Sequence, residues 1–285
     1  MTIRGAAPDR VFITGASSGI GAALAAEYAA QGATLGLLAR RSAVLDQLIA
    51  SLPNPERHRA YAVDVRDHAA IAAAAQDFLN HAGGIDVVVA NAGISVGTLT
   101  EFSEDIPVFE AVIATNVVAT AATFAPFIPA MKAQGTPARL VGIGSVAGIR
   151  GLPGAEAYSA SKAAVISYCE SLRLELKRHA IRVVTICPGY IDTPMTQINP
   201  YPMPFLMPVQ QFARKAVQTI ARGSSYRVIP WQMGIVAKLL RMLPNWLYDL
   251  AFGNAPHKPR KPHTQHTQHT QHTQHTPNTP HKGAA

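Results

Sequence analysis

A serine, a tyrosine and a lysine at Ser145, Tyr158 and Lys162 raise the first chemical question. Tyr158 and Lys162 are four residues apart, so on a helix they share a face. A free phenol titrates at about 10 and is a poor base at neutral pH. An ammonium beside it favours the phenolate, and a positively charged ring nearby adds to the effect. Ser145 stands at the end of an apolar run, where its hydroxyl can bond a substrate oxygen and stabilise charge developing on it. The chemistry implied is proton transfer to or from a substrate oxygen. Tyr and Lys at this spacing arise often by chance. The weight therefore falls on the elements around them.

The run 11–14 is β-prone, and Thr14-Gly15-Ala16-Ser17-Ser18-Gly19-Ile20-Gly21 breaks it before an Ala-rich helical stretch, 22–31, that Gly32 stops. Glycines let a backbone turn tightly and approach a pyrophosphate, and the helix that follows offers free N–H groups. The spacing is Gly-x-x-x-Gly-x-Gly, not the better-known Gly-x-Gly-x-x-Gly, but it sits in the strand–turn–helix context such a motif requires. A carboxylate at the end of the second strand would bind a ribose hydroxyl and select NAD. The chain instead has Arg40 and Arg41, with no acid until Asp46. Guanidinium groups pair with a 2′-phosphate, so NADP(H) is expected over NAD(H). The competing reading makes the two arginines a solvated helix start. Asp64-Val65 and Asn91-Ala92-Gly93 follow the third and fourth apolar runs, at the strand ends where open α/β sheets bind ligands. Asn91 is equally consistent with a turn residue that touches no ligand.

Short apolar runs recur at 34–39, 60–63, 86–90, 139–143, 181–187 and 227–229, separated by helix-length stretches at 67–81, 104–133, 156–179 and 209–222. Continuous apolar strands are buried on both faces, and their alternation with helices predicts a doubly wound parallel sheet of about seven strands. Pro194, Pro200, Pro202, Pro204 and Pro208, with Met195, Met203, Phe205 and Met207 among them, predict an irregular flap at about 190–208. Its apolar side chains either line a substrate pocket or belong to a surface connection. Pro244 divides the apolar segment 231–252 into two short helices. Packing beside the pocket or against another subunit is the favoured reading of that segment; seating on a membrane is the alternative.

With these features in place, the sequence resembles the short-chain dehydrogenase/reductase family over about residues 8–230. The resemblance implies a Rossmann-type fold and a catalytic tetrad of Asn116, Ser145, Tyr158 and Lys162. It places Pro188-Gly189 after the sixth strand, with Ile191 and Thr193 near the nicotinamide. In these roles Tyr158 exchanges a proton with the substrate oxygen and Ser145 orients it. Lys162 binds the nicotinamide ribose and lowers the Tyr158 pKa, and Asn116 holds a water that links Lys162 to solvent. Ala90 replaces an asparagine common in the family. The implied activity is hydride transfer between NADP(H) and an apolar ketone, aldehyde or secondary alcohol. Alternatives are a nucleotide-binding regulator, an epimerase or dehydratase, and a membrane-peripheral reductase of a lipid-like substrate. The intact tetrad argues against the regulator. The glycine spacing and chain length argue against the epimerase.

The chain has 285 residues, 48% of them hydrophobic, enough for one sizeable core. The formal net charge is +8, but Lys258, Arg260, Lys261 and Lys282 place half of that excess near the C-terminus. No dense basic run or basic–aromatic pattern points to nucleic acid. Two cysteines, no apolar leader in the opening residues and no expected charge-free membrane span together suggest a cytoplasmic protein. A homodimer or homotetramer through 104–133 and 156–179 is expected, since Ala-rich helices pack closely. The organisation expected is one domain over 1–253, then a His/Thr/Gln-rich tail, 254–285, whose composition cannot offset its ordering entropy. Histidines every third residue from His263 to His275 read either as a weak metal-binding tract or as a tolerated repeat.

Overall fold

The computed structural model describes residues 10–254 and 257–260. In chain order the elements are β1 (Arg10–Thr14), α1 (Gly19–Ala30), β2 (Thr34–Ala39), α2 (Ser42–Ser51), β3 (Arg59–Ala62), α3 (His68–Ala82), β4 (Val87–Ala90) and α4 (Ile106–Ile113). A π-turn (Ala114–Val118) leads into α5 (Ala119–Phe124), α6 (Ile128–Gln134), β5 (Ala138–Ile143), α7 (Glu156–Glu175) and β6 (Ile181–Pro188). The chain continues through β7 (Ile191–Asp192), α8 (Pro194–Gln197), β8 (Met207–Pro208), α9 (Val209–Ala221), β9 (Tyr226–Ile229), α10 (Trp231–Met242) and α11 (Asn245–Phe252).

Seven strands form one sheet in the order β3-β2-β1-β4-β5-β6-β9, every pairing parallel. The chain winds outward from β1 in both directions, and the order reverses between β1 and β4. There the carboxyl ends of the strands open a crevice between diverging connections. Alternate residues of the central strands feed two cores. Val11, Ile13, Leu35, Leu37, Val87 and Val89 meet α1, α2 and α9 on one face. Phe12, Leu38, Val88, Leu140 and Val183 meet α3, α5, α6 and α7 on the other. This two-sided burial is why the strands read as unbroken apolar runs.

Three expectations need correction. The stretch 104–133 is not one helix. Pro126, which lacks an N–H and crowds the carbonyl four residues back, separates α5 from α6. The π-turn interrupts the ladder earlier, at Asn116, whose backbone carbonyl accepts the Thr120 hydroxyl at 2.8 Å. The same region, Ser103–Gln134, does pass for a membrane span by composition, with a mean hydropathy of 1.7, although no such run was expected. Its apolar side chains Val112, Phe124, Phe127 and Met131 are buried within the fold. The flap 190–208 is not wholly irregular either: β7 pairs with β8, and α8 forms between them.

The segment assigned to the tail also begins later than its composition suggests. Residues 257–260 lie against the body as a strap: Gly97 N–H donates to Pro259 O at 3.1 Å, and Gly97 pairs with Arg260 in a parallel bridge. Arg260 makes a bidentate ion pair with buried Asp105, at 2.7 and 3.1 Å, and covers the Phe102 ring at 3.9 Å. The rest of the expected tail, its His repeat included, and residues 1–9 lie outside the described residues.

α10 turns Met233, Gly234 and Ala237 inward, and the Tyr248 hydroxyl of α11 donates to Gly151 O at 2.6 Å. Trp231, Leu239, Met242, Trp246 and Leu250 remain exposed. The two helices are therefore packed by one face only.

Gly36 on β2 makes room for the aromatic cluster on the second face, where Phe12 lies 5.6 Å from Phe78 and 4.9 Å from Phe127 between ring centroids. A methyl group at Gly36 would meet Phe12 at 2.5 Å and Phe78 at 2.8 Å. Gly36→Ala is expected to cost about 1–3 kcal/mol by overpacking. In thermal denaturation that lowers the midpoint by roughly 2–4 °C for each kcal/mol. An unchanged midpoint would mean the rings move aside at no cost.

Candidate active site

The crevice at the switch point is a cleft of about 480 Å³. Its middle is the glycine turn. Gly15 has φ of +67°, and a Cβ there would sit 2.7 Å from Ala92 Cα; a Cβ on Gly21 would collide with Gly15 O. Only glycine permits these two backbones to approach so closely. Ser18 precedes α1 in an extended conformation, and its side chain makes no capping bond. Ser17, Ser18, Gly19 and Ile20 line the cleft at the positive end of the α1 dipole, a backbone cradle that fits a pyrophosphate. Gly21 itself lies behind the lining.

Asn91 holds this turn in place. Its amide donates to Thr14 O at 3.0 Å and Gly15 O at 3.2 Å. The Thr14 hydroxyl accepts from the Asn91 and Ala92 N–H groups, each at 3.2 Å. Asn91 is thus a fastening between β4 and the turn after β1 as well as a lining residue, alongside Ala92 and Gly93.

One end of the cleft is lined by Arg40, Arg41, Asp64, Val65 and Arg66. Arg41 donates to the Ser17 hydroxyl at 3.0 Å, reaching back toward the phosphate cradle. Arg66 pairs with Asp64 at 2.7 Å, and its hydrogen bonds pull the Asp64 carboxyl down to about 2. Sequence reasoning missed Arg66; its only signal was its place directly after Asp64-Val65.

The other end holds Ser145, Tyr158 and Lys162 with Pro188, Gly189, Ile191 and Thr193. Ser145 caps a short turn, accepting the Ala147 N–H at 3.1 Å, and its hydrogen bond to the phenol favours the Tyr158 phenolate. Burial outweighs that bond, and the Tyr158 pKa is raised. The expected depression by Lys162 is therefore not seen in the protein alone. The reason is geometric. The Lys162 ammonium donates to Ile143 O at 2.8 Å, and lies 5.8 Å from the centre of the Tyr158 ring. Burial lowers the Lys162 pKa to about 8.

Asn116 does not line the cleft. Its amide nitrogen donates to Ile94 O at 3.0 Å and the Ser161 hydroxyl at 2.9 Å, and its side-chain oxygen accepts from Ile94 N–H at 2.8 Å. The side chain thus ties the 91–94 segment to α7, the helix carrying Tyr158 and Lys162. Of the flap's apolar residues, Met195 lines the cleft, whereas Met207 is buried in the core and Phe205 is exposed. Lys258, grouped with the tail by composition, comes within 5.6 Å of the Tyr158 ring centre. Neither its composition nor its sequence position, far from every motif, could have signalled this.

Lys162 gives a pH test. The unfolded amine holds its proton to 10.5, the native one only to about 8, so between these values the unfolded chain binds more protons. Stability therefore rises with pH across that window; the burial penalty is complete below about 8 and absent above 10.5. Lys162→Met is expected to stabilise the fold at pH 7 by about 2 kcal/mol, allowing for the lost bond to Ile143, with the gain shrinking as pH rises. Urea denaturation at pH 7 and pH 10 checks this. Equal gains at both would show that Lys162 keeps its ordinary pKa.

Comparison with known proteins matches residues 9–200 to the short chain dehydrogenase family model. An oxidoreductase of Myxococcus xanthus is 36% identical over 243 residues, covering 84% of this chain and 94% of that protein. One of Mycobacterium tuberculosis is 38% identical over 248 residues, covering 85% and 96%. Among solved structures, the 3-ketoacyl-(acyl-carrier-protein) reductase of Brucella melitensis, complexed with NADH, superposes with a TM-score of 0.71 at 26% identity, covering 78% of this chain and 96% of that one. The family match runs from the first strand into the flap and takes in both ends of the cleft. A nicotinamide cofactor and chemistry on CH–OH and C=O groups come with that extent of likeness, and the chain belongs to the short-chain dehydrogenase/reductase family.

Proposed function

We propose that the protein is an NADP(H)-dependent reductase of a ketone or aldehyde with an apolar body, Tyr158 acting as general acid and, in the reverse direction, as general base. The observation that carries this reading is one cleft with the Ser145–Tyr158 pair at one end and Arg40, Arg41 and Arg66 at the other. Three guanidinium groups favour a 2′-phosphate there, and Asp64 is already neutralised by Arg66. Ile94, Ala111 and Met195 supply apolar lining.

A nicotinamide held in the cleft would supply or accept the hydride. Tyr158 gives its proton to the carbonyl oxygen, and its raised pKa keeps that proton in place at neutral pH until the oxygen becomes basic. Ser145 holds the oxygen and shares the developing charge. Lys162, titrating near physiological pH, replaces the proton that Tyr158 loses, and in the open cleft it is the group positioned to hold the ribose. Asn116 acts from behind by fixing Ile94 and α7. A fluorescence titration is expected to give NADPH binding at least about tenfold tighter than NADH, a difference of about 1.4 kcal/mol. Tyr158→Phe is expected to lose about 10²-fold or more of the turnover on a carbonyl panel while still binding NADPH. A preference for NADH would reassign the arginines to a solvated surface. Tight binding with no turnover by the unaltered protein would favour a nucleotide-responsive regulator.

The exposed apolar residues Ile106, Val118 and Leu174, on the α4–α5 region and α7, support a homodimer or homotetramer built on these helices, and the sparse cysteines support a cytoplasmic location. The exposed face of α10 and α11 keeps a membrane-peripheral enzyme as the second reading. Light scattering is expected to return a dimer or tetramer that does not sediment with liposomes. A monomer that does would replace the first reading with the second.

A further inference from the structure

We propose that Lys258 is a specificity-determining residue that binds an anionic group of the substrate, a carboxylate, carried a few bonds from the carbonyl on which Tyr158 acts. This rests on the reading of the Tyr158 end as the substrate end, and it adds an acidic head to the apolar body inferred above.

The strap places this ammonium deliberately. Arg260 locks onto Asp105, which also accepts the Leu99 N–H at 2.9 Å, so the anchor is tied to the chain that leaves the 91–97 segment. Next to the anchor, Gly97 meets the Lys258 carbonyl so closely that a Cβ would overlap it, and a Cβ at Gly154 would come within 2.7 Å of His257. Two side-chain-free surfaces thus receive the strap on either side of Lys258. Among the described residues the ammonium meets the Ser95 hydroxyl at 2.6 Å and the Tyr158 ring at 5.6 Å; Lys258 and Ser95 stand just outside the lining of the cleft, beside Tyr158 and Ile94, which line it. Among the described residues no carboxylate stands within 4.0 Å of it.

A cation partly withdrawn from water with no counter-ion is unfavourable. Burial accordingly lowers its pKa, and no neighbouring acid offsets the shift. An anion in the substrate mouth removes that cost. The nucleotide's phosphates are not that anion, because their cradle is the glycine turn, whereas Lys258 sits over Tyr158 beside Ser95. Ser95 accepts from Lys258 and so keeps its own proton for the same ligand, giving a charged and a neutral donor side by side. The Tyr158 ring lies at similar distances from two ammonium groups, Lys162 at 5.8 Å and Lys258 at 5.6 Å. Only the first belongs to the catalytic helix.

The test uses the full chain with NADP+ present, which has no hydride to give to a ketone, and reads binding by calorimetry, so it does not depend on turnover. The probes are straight-chain keto acids with one to four carbons between ketone and carboxylate, each paired with its methyl ester. The best acid is expected to bind about tenfold more tightly than its ester. Lys258→Gln is expected to abolish that preference and Lys258→Arg to keep most of it. If the unaltered protein does not distinguish acid from ester at any length, or if Lys258→Gln retains the preference, the proposal is overturned. Tyr158→Phe separates the two readings: a variant that keeps both the acid preference and full carbonyl turnover sinks the Tyr158 assignment and leaves Lys258 standing.

Discussion

At the centre of the sheet two neighbouring strands send their chains in opposite directions, and one amide side chain keeps their ends together. Asn91, leaving β4, bonds the backbone of the turn that leaves β1. Without that fastening the crevice that a doubly wound sheet must open at its switch point would have no fixed width. The glycine turn has a required shape because it is pressed against Ala92 and Gly21. A second amide repeats the device one layer out: Asn116 grips both backbone groups of Ile94 and reaches Ser161 on α7. The 91–94 segment is thus held from both sides, and the glycine turn and the helix carrying Tyr158 and Lys162 are referenced to the same four residues.

The cleft is electrostatically polarised along its length. Three arginines gather at its nucleotide end, one of them already bound to an acid. At the Tyr158 end the positive charge is scarcer and drier. Lys162 is buried, at a cost in stability that its hydrogen bond to Ile143 only partly offsets. A functional site is where a stable protein accepts such a charge.

Much of this was readable from residue order. Continuous apolar runs disclosed the parallel sheet because two-sided burial removes the alternation that a half-exposed strand would show. The glycine turn, the strand-end asparagine and the Ser145–Tyr158–Lys162 set were legible because each depends on local spacing. Arg66 was harder to see, since only the fold brings it to the end of the cleft that Arg40 and Arg41 line. The shape of 104–134 was hidden because its composition is that of one helix, while Pro126 and the π-turn at Ala114–Val118 interrupt it. Lys258 was out of reach altogether. Its meaning comes from contacts 163 residues apart in the chain, and its neighbourhood has the composition of a free tail.

The strap has a consequence for the order in which the molecule comes into being. Its anchor joins Arg260 to Asp105, 155 residues earlier, and every sheet strand lies before it in the chain. During synthesis the sheet and the phosphate cradle can assemble as soon as β9 has emerged, because domains form as their sequence becomes available. The Lys258 ammonium reaches Ser95 and the Tyr158 ring only after α11 has been made. In the proposed reading, a polypeptide that stops before the strap has the glycine turn and the Tyr158 end but lacks the charge that would read the substrate's anion.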